Sequence, residues 1–328
     1  MIDCIRTGDR FQSEQPAGFP IKVGGMVVKG SGVNWTKLVI GMLGGDRREQ
    51  EIARLAASTG AEVRAYGFPW PERGIPGVRH VNDAAAVLKG ARIALFPIPG
   101  IAPNGALFAP SVPAPIIPDQ SVLAGMKPPA HIILGWADDH LKAHAAALSI
   151  KLHEYEWDRG LMLRRAPAII EGLLKIVIEN TAITIHRSPV CVVGQGTIGS
   201  LLTRYLIALG ACTHVLARNS EHRAAAYVAG AEVHLLEALP ELAPRLDMLF
   251  SAVPSRVVGH GVLARLPKSA LVVDLAAPPG GVDFEAARQL GLIAIWARGL
   301  GSRAPITVGA SQWEGIREQI EKIFQEES

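Results

Sequence analysis

The run Gly194-Gln195-Gly196-Thr197-Ile198-Gly199 has residue types and spacing that point directly to a chemistry. It follows the apolar residues 190–193 and opens a helical pattern. In such a G-x-G-x-x-G turn the first glycine makes the bend and the second lets the backbone approach a pyrophosphate. The third lets helix and strand pack closely. The helix amino end then offers free N–H groups and a positive dipole end. All six residues are therefore expected to hold a dinucleotide diphosphate. An NAD site usually places Asp or Glu at the end of the next strand, about 20 residues on, to bind the ribose hydroxyls. Here that strand ends in Arg218, Asn219 and Ser220, with Arg223 beyond and no acid before Glu221. Arg218 can pair with a 2′-phosphate, so NADP is expected over NAD. Asn219 or Ser220 could equally serve as a helix N-cap.

The elements that position this turn occur twice. Residues 37–68 and 188–219 share an apolar run, a break at Gly44 or Gly194, a helical pattern and a Gly-Ala pair (Gly60-Ala61, Gly210-Ala211) at the same interval. Each reads as strand, turn, helix, strand. Downstream, residues 93–100 answer 248–255, and 131–135 answer 270–274. Short, continuous apolar runs suit parallel strands covered on both faces. The expected fold is α/β, with two Rossmann-like doubly wound parallel-sheet domains and a cleft between them. The expected boundaries are an extension over 1–35, a substrate-side domain over 36–160 plus 303–328, and a nucleotide domain over 161–302. Residues 158–186 read as the linking helix, with Pro167 opening its main segment. Residues 311–327 read as a second helix whose apolar face returns to the first domain. The loop at 299–305 is expected to close the cleft.

The two copies differ at the turn. In the first, Asp46 stands at the second glycine and Glu49 at the third, which would repel a diphosphate. Arg47 and Arg48 beside them suit a carboxylate substrate, or are solvated charges; adjacent helical residues do not share a face, which favours Arg47. Asp46 and Glu49 could accept a proton or merely hold the arginines. Asp138 and His140 follow another strand end. His140 could act as a base near neutral pH, and Asp138 as a partner or an N-cap. In the second domain the loops carrying Val253, Pro254 and Ser255, and Asp274 and Ala276, are expected to border the nicotinamide.

Composition narrows the class. The 328 residues are 49% hydrophobic and 19% charged, with a net charge of +3, too weak a balance to argue for nucleic acid. No apolar stretch reaches the roughly 18 residues that span a bilayer. Asp3, Arg6, Asp9 and Arg10 do not fit a signal peptide. A cytoplasmic protein is expected. The three cysteines, Cys4, Cys191 and Cys212, form neither a disulfide framework nor a metal spacing. His140 and His144 lack an H-E-x-x-H context, so no metal is expected.

From about Lys37 onward the chain resembles the dipicolinate synthase A-subunit family of spore-forming bacteria. The matching segments are G-G-D-R-R-E-Q from Gly44, P-I-P-G from Pro97 through Pro99 and Gly100, Glu171-Gly172, T-I-H from Thr184 and G-Q-G-T-I-G from Gly194. D-L-A-A-P-P-G-G-V-D-F-E from Asp274 and A-P-x-T from Ala304 complete the series. The resemblance implies an NADP-dependent oxidoreductase that converts a cyclic dihydrodipicolinate-type dicarboxylate, a product of the lysine/diaminopimelate pathway, to dipicolinate during sporulation. It implies that Pro99, Gly100 and Glu171 belong to the substrate side, and that a flavoprotein-like B subunit is a partner. A homo-oligomer is also expected. The family's N-S-x-P-T-x-E-G segment is replaced here by one containing Arg164, Arg165 and Pro167, and Arg298 and Ile306 stand where the pattern has Pro and Lys. Two other classes share the nucleotide turn: another two-domain NAD(P)-dependent hydroxy- or amino-acid dehydrogenase, and a non-catalytic NADP-binding subunit of a heteromeric complex.

Overall fold

A computed structural model describes residues 32–156 and 158–328. Most of the expected extension, residues 1–31, lies outside the described residues. In the first domain the strands are β1 (Val39–Leu43), β2 (Glu62–Tyr66), β3 (Val78–His80), β4 (Ile93–Leu95), β5 (His131–Leu134) and β6 (Lys151–Glu154). Its helices are α1 (Arg47–Ser58), α2 (Ala84–Leu88), α3 (Gln120–Leu123) and α4 (Asp139–Ala147). The long α5 (Arg159–Asn180) leads to the second domain. That domain has β7 (Pro189–Val193), β8 (Cys212–Leu216), β9 (Glu232–His234), β10 (Met248–Ser251), β11 (Leu271–Asp274) and β12 (Ile293–Trp296). Between them lie α6 (Thr197–Ala208), α7 (Ser220–Val228), α8 (Leu239–Leu242), α9 (His260–Leu263) and α10 (Phe284–Gln289), and α11 (Pro305–Glu326) closes the chain.

The sheets run β3-β2-β1-β4-β5-β6 and β9-β8-β7-β10-β11-β12, six strands each. Every strand pairing is parallel. The two domains are therefore Rossmann-like sheets of one strand order. In each, the order reverses beside the first strand, and ligands of such sheets bind outside the carboxyl strand ends at that reversal. The turns after β1 and β7 both lie there.

The central strands are apolar along their length because helices cover both faces. Ile40, Met42, Val63 and Ile93 face a core that also holds Ile52 and Ala56 of α1. Trp313, Ile316, Ile320 and Ile323 of α11 complete that core, so the last helix covers the first sheet. A Cβ on Gly309 would come within 2.6 Å of the Arg48 carbonyl oxygen, so the amino ends of α1 and α11 lie together. Val33 is buried in this core and Trp35 packs against Trp313 at 6.1 Å between ring centres. Ile170, Leu173 and Val177 of α5 instead join Val190, Val192 and Phe250 of the second domain. A small cluster of Ile98, Ala168 and Val308 links the two halves.

Two local expectations are corrected. Pro167 lies inside α5, which starts at Arg159 behind the N-cap Asp158. A proline at this depth removes one helical N–H, and packing on both cores maintains the helix through it. Helix α5 ends at Asn180 rather than near 186, where the Asn180 and Thr181 side chains take the carbonyls of Ile176 and Val177 at 2.8 Å. The expected closing loop is a short 3-10 turn, Leu300–Arg303, tied to α5 by an Arg303–Glu171 ion pair.

Candidate nucleotide and substrate site

The turn after β7 is shaped around its glycines. Gly194 has φ +97° and donates to the Leu216 carbonyl at 2.8 Å, anchoring the bend to β8. A Cβ on Gly199 would lie 2.1 Å from the Gly194 oxygen, so only glycine permits α6 to approach this closely. A Cβ on Gly196 would meet nothing within 4 Å, and this N-cap has no side-chain cap bond. The first N–H groups of α6 therefore have no side-chain cap beside an open position, which suits a diphosphate. Thr197 and Ile198 are half-buried beside them. Gln195 is corrected in its role. Its amide is buried and donates to Thr203 Oγ1 at 2.7 Å, so it braces the loop from beneath and only its backbone can meet a ligand. Val253 packs over Gly194, and Pro254 and Ser255 are exposed next to it.

At the end of β8, Asn219 caps α7 by accepting from the Glu221 and His222 N–H groups at 2.7 and 3.1 Å. Arg223 turns back and donates to the Ala217 and Arg218 carbonyls, both at 2.7 Å. Ser220 is the exposed first residue of α7. Of the two arginines expected to meet the ribose end, Arg223 is thus committed to backbone. Arg218 is exposed and makes no ion pair among the described residues. Asp274 is also corrected. It is fully buried, and its carboxylate accepts from Ala276 at 3.0 Å, Gly281 at 2.7 Å and Val282 at 3.1 Å. It holds residues 275–282 in shape and does not face a ligand. Ala276, itself buried, receives the Trp296 indole N–H on its carbonyl at 2.9 Å.

The matching turn after β1 is closed from within. Asp46 and Glu49 form a capping box: Asp46 accepts from the Arg48 N–H at 2.9 Å, and Glu49 accepts from the Asp46 N–H at 2.7 Å. The other Glu49 oxygen lies 3.4 Å from the Ile98 N–H. A carboxylate of the chain itself thus occupies the place where the second domain leaves room for an anion. Arg48 forks onto both Asp46 oxygens at 2.9 Å. Of the two arginines, Arg48 is neither a solvated charge nor free for a ligand: it is 7% exposed and internally paired, whereas Arg47 is exposed without an ion pair among the described residues.

These contacts set the protonation of the two acids. For Asp46 burial works upward, but the hydrogen bonds and charge of Arg48 more than offset it and hold the carboxyl below its ordinary range. Asp46, expected as a catalytic group, is thus engaged by Arg48 and by the end of α1. Burial pushes Glu49 up to about 7, with the Arg48 charge pulling it down and the Asp46 charge pushing it up. Tyr155, beside this group, is driven upward by burial and by the Glu49 charge. Arg165 of α5 completes the cluster, buried and paired with Glu156 at 3.0 Å. Sequence spacing missed this assembly because its members come from α1, the end of β6 and α5.

The remaining candidates divide. Asp138 caps α4, accepting from the Leu141 N–H at 2.8 Å. His140 is exposed in the first turn of α4, and with Asp138 and His144 it lines an open depression of about 360 Å³. Pro99 is exposed, whereas Gly100 is buried against the Trp136 backbone, where a Cβ would lie 2.5 Å from the carbonyl oxygen. Glu171 is exposed and forms an ion pair with Arg303.

Comparison with known proteins places the chain. Residues 39–156 match the model of the dipicolinate synthase A-subunit N-terminal domain, and residues 177–289 match that of shikimate / quinate 5-dehydrogenase. The dipicolinate synthase A-subunit of Bacillus subtilis (strain 168) is 30% identical over 278 residues, covering 84% of this chain and 93% of that protein. The chain belongs to the dipicolinate synthase A-subunit family. The crystal structure of the dipicolinate synthase A-subunit from Bacillus halodurans has a TM-score of 0.80 at 26% identity, covering 87% of this chain and 97% of its own. That of the Bacillus subtilis A-subunit has a TM-score of 0.79 at 27% identity, covering 88% and 97%. In this member of the A-subunit family the N-terminal-domain match coincides with the first sheet. The dehydrogenase match runs from α5 through α10 and includes the open glycine turn. It implies an oxidoreductase with a nicotinamide cofactor. Among the described residues, no helix is long and apolar enough to cross a membrane.

Proposed function

We propose that this chain oxidises a dihydrodipicolinate-type cyclic dicarboxylate to dipicolinate with NADP. The observation that carries the reading is the difference between the two turns: open at Gly196, filled by Glu49 in the twin. The open turn fits a diphosphate, and the exposed Arg218, with no acid at the end of β8, fits a 2′-phosphate. When bound, NADP supplies a two-electron acceptor for a hydride. The protein binds, orients and handles the proton.

On the substrate side, Arg47 is exposed at the amino end of α1, where α11 approaches, and its free guanidinium suits one carboxylate. Arg48, Asp46 and Glu49 hold that helix end in position. His140 takes the ring proton at its imidazole. Loss of one hydride and one proton from the dihydropyridine gives the aromatic dicarboxylate, so atoms and electrons balance. Partnership with a B subunit is part of this proposal, since the relative in Bacillus subtilis is named as the A-subunit of its synthase.

The test is to incubate the purified chain with freshly made dihydrodipicolinate precursor and NADP, with and without a B subunit, and follow NADPH and dipicolinate absorbance. Both should rise together. No product in either condition overturns the reading. Product only with the B subunit leaves the chemistry in place and assigns activity to the complex.

A further inference from the structure

Away from both turns, the β8–β9 pair brings three donor side chains to one point. His214 of β8 faces Glu232 of β9 in register, and His234 lies two residues further along β9 on the same face. His214 Nδ1 is 3.2 Å from His234 Nε2. The Glu232 carboxylate straddles the pair, with Oε2 3.4 Å from His214 Nδ1 and Oε1 3.5 Å from His234 Nε2. Zinc bonds of about 2.0–2.1 Å in a tetrahedron separate neighbouring donors by about 3.3 Å. The two nitrogens are separated by close to that value, each has a Glu232 oxygen at a similar distance, and one ligand atom from each of the three residues lies within 4.8 Å of the others, so the cluster is of a size that a zinc ion could draw together.

We propose that His214, Glu232 and His234 bind a zinc-class divalent ion. Two imidazoles with one carboxylate suit zinc or cobalt rather than magnesium or calcium, which prefer oxygen alone. Glu232 is exposed, which leaves the fourth position to water. The ion would fasten the three-residue edge strand β9 to β8, the strand that runs on into Ala217 and Arg218. Its role is a staple for that edge, and it does not depend on the reaction proposed above.

A second histidine pair in the chain shows what a different arrangement looks like. His131 and His153 also approach to 3.0 Å, but His131 turns its other nitrogen to Glu327 and His153 turns its own to Gln319, each at 3.0 Å. Among the described residues no carboxylate converges on the nitrogens that face each other, so this pair serves as an internal control. Arg245 is near enough to His214 for its charge to be felt there, and it opposes a dication.

The test is a titration of the tag-free, chelator-treated full chain with cobalt(II), followed by its visible d–d absorption. One equivalent should give an intense low-symmetry spectrum that one equivalent of zinc abolishes. Zinc should also raise the melting temperature. Glu232→Gln, a change at an exposed side chain that the fold tolerates, and His234→Gln should each weaken cobalt binding by at least about tenfold. His153→Gln should leave it unchanged, and Arg245→Ala should tighten it. Absence of a stoichiometric spectrum in the wild type, or binding that survives both Glu232→Gln and His234→Gln, overturns the site. A spectrum lost in His153→Gln instead assigns the ion elsewhere and overturns it equally.

Discussion

Replacing Gly196 by Asp gives the second domain the residue its twin carries at the same place. Gly196 has an extended backbone (φ −72°, ψ −166°), as Asp46 does (φ −126°, ψ −156°), so the substitution brings no backbone strain. Space for the side chain exists, because nothing lies within 4 Å of a Cβ there. The new carboxylate should cap α6 as Asp46 caps α1, contributing about 1 kcal/mol, or roughly 3 °C in melting temperature. The same carboxylate would stand where a diphosphate binds. A charge pair about 4 Å apart costs about 4 kcal/mol at an effective dielectric constant near 20. One lost charge-assisted hydrogen bond adds about 2 kcal/mol. NADPH affinity should therefore fall by about 10⁴-fold while stability is held or raised. Calorimetric binding and thermal melts of the same preparation read both quantities. Retention of NADPH affinity within about tenfold of wild type would refute the placement of the diphosphate, and a large drop in melting temperature would refute the reading of Gly196 as an open, unstrained cap.

Arg218→Ala should weaken NADPH by about 2 kcal/mol and leave NADH nearly unchanged, which paired dissociation constants would reveal; an unperturbed NADPH constant removes the basis for NADP preference. Arg47→Ala should raise KM for the dicarboxylate without altering cofactor affinity, whereas Arg48→Ala should lower stability by about 3 kcal/mol by leaving half-buried Asp46 without its partner beside buried Glu49; steady-state kinetics and urea melts separate the two. Because Glu49 is pushed up to about 7 from 4.5, the folded chain keeps a proton that the unfolded chain releases. Its contribution is fully present below about 4.5 and declines as pH rises through about 7, by about 3 kcal/mol in total, and Glu49→Gln should flatten that slope in urea melts taken across the interval. Asp46, held low by Arg48, has the opposite sign and loses its contribution only as pH falls below its ordinary 3.8. Asp274→Ala should destabilise by about 3 kcal/mol, since three loop N–H groups lose their acceptor; an unchanged melting temperature would return Asp274 to the ligand side.

The doubled βαβ pattern was readable because the short apolar runs and paired glycines record strand, bend and helix end in local sequence. Gly194, Gly196 and Gly199 were equally readable: Gly194 for its positive φ, Gly199 for a helix approach that no side chain permits, and Gly196 for the room that it leaves. Harder to read were the directions of polar side chains. Asp274 and Gln195 stand in or beside ligand-facing loops, yet both turn inward to satisfy backbone or hydroxyl groups. Helix geometry already separated Arg47 from its neighbour Arg48, but only the folded turn shows that Arg48 is consumed by Asp46. The family resemblance drew attention to Glu171, but its partner Arg303 is remote in sequence.

The order of residues alone thus determined two α/β units and which of them keeps room for a nucleotide, because steric openness at a glycine is a local property. The fold decided which charges remain free. It brought Arg165 and Tyr155 to α1, laid α11 across the first sheet and aligned His214 with Glu232 and His234. A charged group's availability depends on every partner within a few ångströms, and strand register and helix packing assemble those partners from distant parts of the chain.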